Sequence, residues 1–167
     1  MSAQTTYKFA TKVNVAGGIA DIAPYAIDSF QNEEENGVMQ FGIGVVHGSK
    51  EGVFVKKPAS GATAAKFVGI TTNNRTTELD LDGNSRIVKG AAVGVMAYGR
   101  IYAKVKTGKT PKFGDKVYMV VSGDETGYFS NASGDGVAVA GRFMGGVDGT
   151  NMIAEIELFN APQPAAT

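Results

Sequence analysis

Histidine, cysteine and paired carboxylates build most active sites, and this chain offers few of them. It has no Cys and one His, His47. The lack of cysteine excludes thiol nucleophiles, iron–sulfur clusters and cysteine-ligated zinc. One imidazole cannot make a His-based metal site. A Ser–His pair would have to use His47, in Val46-His47-Gly48-Ser49, and no G-x-S-x-G elbow surrounds any serine. His47 therefore reads as a turn histidine. Asp80-Leu81-Asp82-Gly83-Asn84 begins like a calcium loop. The pattern then fails, because glycine arrives too early and Ala91 stands where a bidentate Glu belongs. Glu33-Glu34-Glu35 is a carboxylate run typical of a solvated turn. Gly141-Arg142-Phe143-Met144-Gly145-Gly146 is glycine-rich, but no helix pattern follows to supply an anion-binding N-terminus. No catalytic, cofactor or metal constellation emerges. The expectation is a binding or assembly protein, not an enzyme.

One charge cluster stands out. Lys104, Lys106, Lys109, Lys112 and Lys116 are offset locally only by Asp115. They suit either a basic hairpin tip facing an acidic partner or a solvated loop that discourages edge-to-edge pairing. Tyr102 and Phe113 lie nearby, too few for a nucleic-acid stacking platform. Sixteen basic and sixteen acidic residues cancel over the 167-residue chain, so no global field favours nucleic acid. The longest apolar run, Ala91 to Gly99, is far short of a membrane span. The first residues lack the apolar stretch of a secretory signal.

Glycine, 23 residues, is about twice as frequent as usual and is interleaved with Val, Ile, Phe and Tyr. That mixture predicts many short strands joined by tight turns. Strands are expected over Val38–Val46, with Met39, Phe41, Ile43 and Val45 on one face, and at Gly52–Val55 and Phe67–Thr71. Further strands are expected at Ala91–Val105 (bent or divided at Gly99), Lys116–Val121, Val137–Met144 and Asn151–Phe159. Ala62–Lys66 has room for one helical turn, and Asp80–Ser85 reads as a loop. Gly52, Lys57, Gly61 and Thr63 recur at one fixed offset as Gly99, Lys104, Gly108 and Thr110, a pattern that shared hairpin chemistry also explains. The fold class is all-β: a small antiparallel barrel or sandwich, with a jelly roll possible.

Residues 1–30 form no clear element, since Gly17-Gly18 and Pro24 interrupt them. They read as an extended N-terminal arm, or as a first strand or two. The domain scheme is thus arm 1–30, β domain 31–159 and tail 160–167. Apolar arm residues Tyr7, Phe9, Val13, Val15, Ile19, Ile22, Tyr25 and Ile27 are the candidate contacts to a partner or a second subunit.

Several strings have a familiar order: Phe67-Val68-Gly69-Ile70-Thr71-Thr72, Gly94-Val95-Met96, Gly99-Arg100-Ile101-Tyr102-Ala103-Lys104-Val105, Phe113-Gly114-Asp115-Lys116-Val117-Tyr118 and Gly141-Arg142-Phe143-Met144. Over roughly residues 37 to 159 the chain resembles the structural cement, or capsid decoration, proteins of tailed bacteriophages. The resemblance implies a non-enzymatic virion protein made in the host cytoplasm and added to the outer surface of the assembled head. It implies the major capsid protein as partner, clamped against internal DNA pressure, and self-association as a homodimer or homotrimer. No catalytic residue, cofactor or metal is implied, and neither nucleic acid nor membrane is an expected partner. The alternative is a lectin-like β module for carbohydrate or peptide, disfavoured by the absence of Trp.

Overall fold

The computed structural model describes residues 15–73, 78–79 and 85–160. Its strands are β1 (Ala26–Asn32), β2 (Gly44–His47), β3 (Phe54–Lys56), β4 (Phe67–Thr71), β5 (Glu78–Leu79), β6 (Ser85–Arg86), β7 (Ala92–Lys104), β8 (Lys116–Val120), β9 (Phe129–Ser130), β10 (Gly136–Phe143) and β11 (Ile153–Leu158). The only helical turns among the described residues are 3-10 turns at Ala64–Lys66, as expected, and at Ser133–Asp135.

Of the architectures the sequence admits, the chain forms a closed five-stranded barrel with extra strands. Its ring runs β1–β3–β2–β4–β7 and closes through β7–β1. A closed ring with an odd number of strands cannot alternate direction throughout. Here β1–β3 is the parallel pair, with Gln31 opposite Phe54, and the other pairs are antiparallel. The barrel core is Met39, Ile43, Val45, Val55, Ile87, Val93 and Val95.

β7 is longer than this barrel needs, and it changes partner at Gly99. Up to Tyr98 it pairs with β1, and from Gly99 onward with β11. The division expected at Gly99 is therefore present. A Cβ on Gly99 would lie 2.5 Å from that of Tyr25, which crosses the strand there. The sheet continues β7–β11–β10–β8–β9, and a parallel bridge from Phe129 to Val105 turns it back on β7.

The two rings share one strand order, with β7 last in the first and first in the second. In each, the first strand lies between the third and the fifth, and the third runs parallel to the first. The register agrees as well. Gly44, Ile70, Met96 and Ile27 lie side by side across the first ring as Lys116, Arg142, Glu157 and Arg100 do across the second. Gly69 and Gly141, each preceding one of these residues, fill equivalent places. A Cβ would meet the Met96 carbonyl oxygen at 2.2 Å and the Glu157 carbonyl oxygen at 2.7 Å.

Val46, Phe67, Ile70 and Met96 point out of the first barrel and into the core of the second, beside Ile101, Met119, Phe129, Phe143 and Ile156. The shared wall is buried on both faces, so neighbours such as Val45/Val46 and Val95/Met96 are all buried.

Two readings need correction. Of the expected Val38–Val46 strand only Gly44–Val46 is extended sheet, within β2. Before it, buried Thr71 replaces a neighbouring strand: its hydroxyl donates to the Gln40 carbonyl at 2.7 Å and accepts from the Ile43 N–H at 3.1 Å. Met39 and Ile43 are nonetheless core. The 52–63 and 99–110 recurrence is not the structural repeat, because β3 is third in its ring and the second half of β7 is first in the other. The expected Asp80–Ser85 loop lies mostly outside the described residues.

Gly69→Ala and Gly141→Ala should each cost about 3 kcal/mol in denaturant unfolding, well above the ~1 kcal/mol typical of point substitutions. Gly134→Ala, which meets nothing within 4 Å, is the near-neutral control.

Candidate functional site

The outer wall of the second ring carries a ladder of charge. Arg142, Glu157 and Arg100 sit opposite one another on β10, β11 and β7. Arg142 Nε donates to Glu157 Oε2 at 2.6 Å and Arg100 Nε to Glu157 Oε1 at 3.3 Å. Arg100 Nη1 continues to Asp21 Oδ2 at 2.9 Å. Burial opposes the charge on Glu157, but the two arginines prevail and hold its carboxyl below its ordinary value. The ladder thus joins three strands to the chain preceding β1.

That chain lies along the β7 edge of the ring. The Gly17 N–H donates to the Tyr102 carbonyl at 2.7 Å, the Tyr102 N–H to Gly18 at 2.9 Å and the Ala20 N–H to Arg100 at 3.0 Å. Ile19 forms a bridge with Ile101. Asp21 fixes the following turn twice, since Oδ1 accepts the Ala23 N–H at 2.9 Å while Oδ2 holds Arg100. The turn presents Ile22, which is 100% exposed, beside exposed Ile19 and Tyr25. With Ala20 and Asp21 these three line a shallow open groove. Of the expected contact residues, Val15, Ile19, Ile22 and Tyr25 are exposed, whereas Ile27 lies in β1 and packs against the core. Tyr7, Phe9 and Val13 lie outside the described residues.

The lysine cluster divides. Lys106 and Lys109 both pair with Asp135, at 2.6 and 2.7 Å, and the Ser130 hydroxyl donates to the same carboxylate. Those hydrogen bonds, Lys106 first, hold the Asp135 carboxyl far below its usual range. Lys104 donates to Gln40 Oε1 at 2.7 Å above the Tyr128 ring, and burial, helped by Lys57, lowers its pKa. Lys112 and Lys116 remain exposed at the far end of the wall.

The Glu33-Glu34-Glu35 run does not converge. Glu33 accepts the Ser49 N–H, Glu34 accepts the Lys57 N–H and Glu35 pairs with Lys89. Among the described residues, no three His, Cys, Asp or Glu side chains are placed to hold a metal ion. His47 lines a small polar pocket with Lys56, Lys66 and Glu51, and its buried Nδ1 has no hydrogen-bond partner. No described helix is long and apolar enough to cross a membrane.

Fold and surface together define an all-β protein whose distinctive features are a charged wall and an apolar ridge. The family model described as structural cement protein (E217 gp24/Pam3 gp6) matches residues 3–159, and the chain belongs to that family. It is a virion structural protein that associates with capsid proteins. Among solved structures, a chain of the capsid of Myoviridae phage XM1 shares the fold, with a TM-score of 0.68 at 16% identity over 96% of this chain and 99% of that one. No curated protein matches.

Asp135 contributes stability that is complete above the ordinary carboxylate range and lost as pH falls through its depressed folded value. Asp135→Asn should lower Tm at pH 7 by about 3 °C. Below about pH 4 the gap to the unaltered protein should shrink as pH falls, which melts at several pH values would reveal.

Proposed function

We propose that the protein binds the outer surface of the assembled phage head and cements neighbouring major capsid subunits against internal DNA pressure. It works as a homodimer or homotrimer, whose symmetry repeats each contact around the shell. The observation that carries this reading, within the family, is the ridge at Ile19–Tyr25. A wholly exposed isoleucine is ordinarily held on a floppy turn, but here the Asp21 carboxylate accepts the Ala23 N–H within the turn and ties it to β7 through Arg100. A pre-ordered apolar projection loses little freedom on docking, so its burial goes largely into affinity. Many modest contacts then add through multivalency.

Co-sedimentation with undecorated heads, beside soluble capsid subunits, tests the proposal. Saturable binding to heads alone is expected, and its copy number reports the symmetry position occupied. Absence of binding to any head would sink it. Ile22→Asp should weaken head binding by about tenfold, roughly 1.4 kcal/mol. Its Tm should stay unchanged, because the residue buries nothing in the isolated chain.

A further inference from the structure

One corner of the charged wall sets two cations opposite each other. Lys116 and Arg142 lie directly opposite each other on β8 and β10. The pair follows a register shift in the ladder after Val139, and like charges placed opposite each other repel. Glu157 offsets Arg142 from the other side, but it is shared with Arg100. Among the described ion pairs, neither Lys112 nor Lys116 takes part. Asp115 lies between them, yet its carboxylate accepts the Lys112 backbone N–H and the Asn131 amide, both at 2.9 Å. Phe113 stands 65% exposed, with the Arg142 guanidinium 5.5 Å from its ring centre. Protection of an open edge does not explain the cations, because β8 is flanked by β10 and β9.

The internal repeat supplies an independent argument. The positions equivalent to Lys116, Arg142, Glu157 and Arg100 in the first ring are Gly44, Ile70, Met96 and Ile27. Three of those, Ile70, Met96 and Ile27, pack against the core of the neighbouring barrel. The first copy of this wall is a packing face, and among the described residues no barrel covers the second.

We infer that the Phe113–Lys116–Arg142 corner is a second docking site, for a protein surface that presents carboxylates beside an apolar group. A carboxylate seated between Lys116 and Arg142 relieves their repulsion, and the apolar group covers Phe113. The inference rests on the cement reading and deepens it. The ridge lies on the chain beside β7 and the corner on β8 and β10, so different strands of the second ring carry them. Two separate grips can engage two capsid subunits, which a clamp requires.

Lys116→Glu tests this, because it turns the like-charge pair into an opposite one. Its Tm should equal or exceed that of the unaltered protein while binding to undecorated heads weakens at least about tenfold. Phe113→Ala should weaken binding with Tm unchanged. Binding of the unaltered protein should fall as NaCl rises from about 50 to 500 mM, where screening shortens the reach of charge. If the unaltered protein binds heads and both variants bind as well as it does, the corner is not a site. Loss of binding together with a fall in Tm would also overturn the inference, as a folding defect. Failure of the unaltered protein to bind would instead overturn the cement reading.

Discussion

Everything in this fold hangs on a sheet wall that is buried on both faces. β2, β4, β7 and β1 enclose the first core with one set of side chains and seal the second with the other. Separating the barrels would expose Val46, Phe67, Ile70 and Met96. At roughly 1.5–3 kcal/mol for each large apolar side chain, that is about 6–12 kcal/mol, an upper bound on the order of a domain's whole stability. The two rings therefore behave as one cooperative unit. β7 makes the union covalent, serving as the last strand of one ring and the first of the next.

The repeated topology shows how a binding surface arises without a pocket. One wall occurs twice in matching register, first with apolar side chains and then with Lys116, Arg142, Glu157 and Arg100. The apolar version recruits another barrel from the same chain. The charged version cannot accept one without burying four ionised groups, a cost far above any packing gain. Charge thus ends the stacking of barrels and leaves a salt-laced, partly exposed face. No cavity chemistry is needed for a protein that acts by adhering.

Much of this was legible in the sequence, and the exceptions share a cause. Phe67–Thr71, Lys116–Val120 and Ile153–Leu158 were legible as apolar runs between turn residues, and Gly99 marked a bend or division, though not the change of partner. Within expected strands, the burial of both Val45-Val46 and Val95-Met96 did not show, because a wall covered on both sides has no polar face to alternate with. β1 was hidden by Asp28 and Ser29, exposed residues within an ordered strand. Residues 39–43 imitated a strand because their apolar spacing serves a core reached through the Thr71 hydroxyl. The basic cluster looked uniform, since nothing local shows that Asp135 claims Lys106 and Lys109 and leaves Lys112 and Lys116. Of the arm, Ile22 was one of several apolar candidates with nothing to single it out, and the ladder that steadies it joins residues far apart in sequence. The aligned glycines, Gly69 and Gly141, were the one visible trace of the true repeat.

The direction of the Asp21–Arg100–Glu157–Arg142 ladder has a mechanical meaning. A pull between the two ends of this face runs across the strands, parallel to the backbone hydrogen bonds, so the sheet is loaded in the mode that parts bonds one after another. The ion pairs run along the same line on the sheet's surface. They act as a tie rod, coupling neighbouring strands so that β10 cannot peel from β11 without also drawing on β7 and the chain ahead of β1. Tension across these strands is therefore met along the line of the bracing.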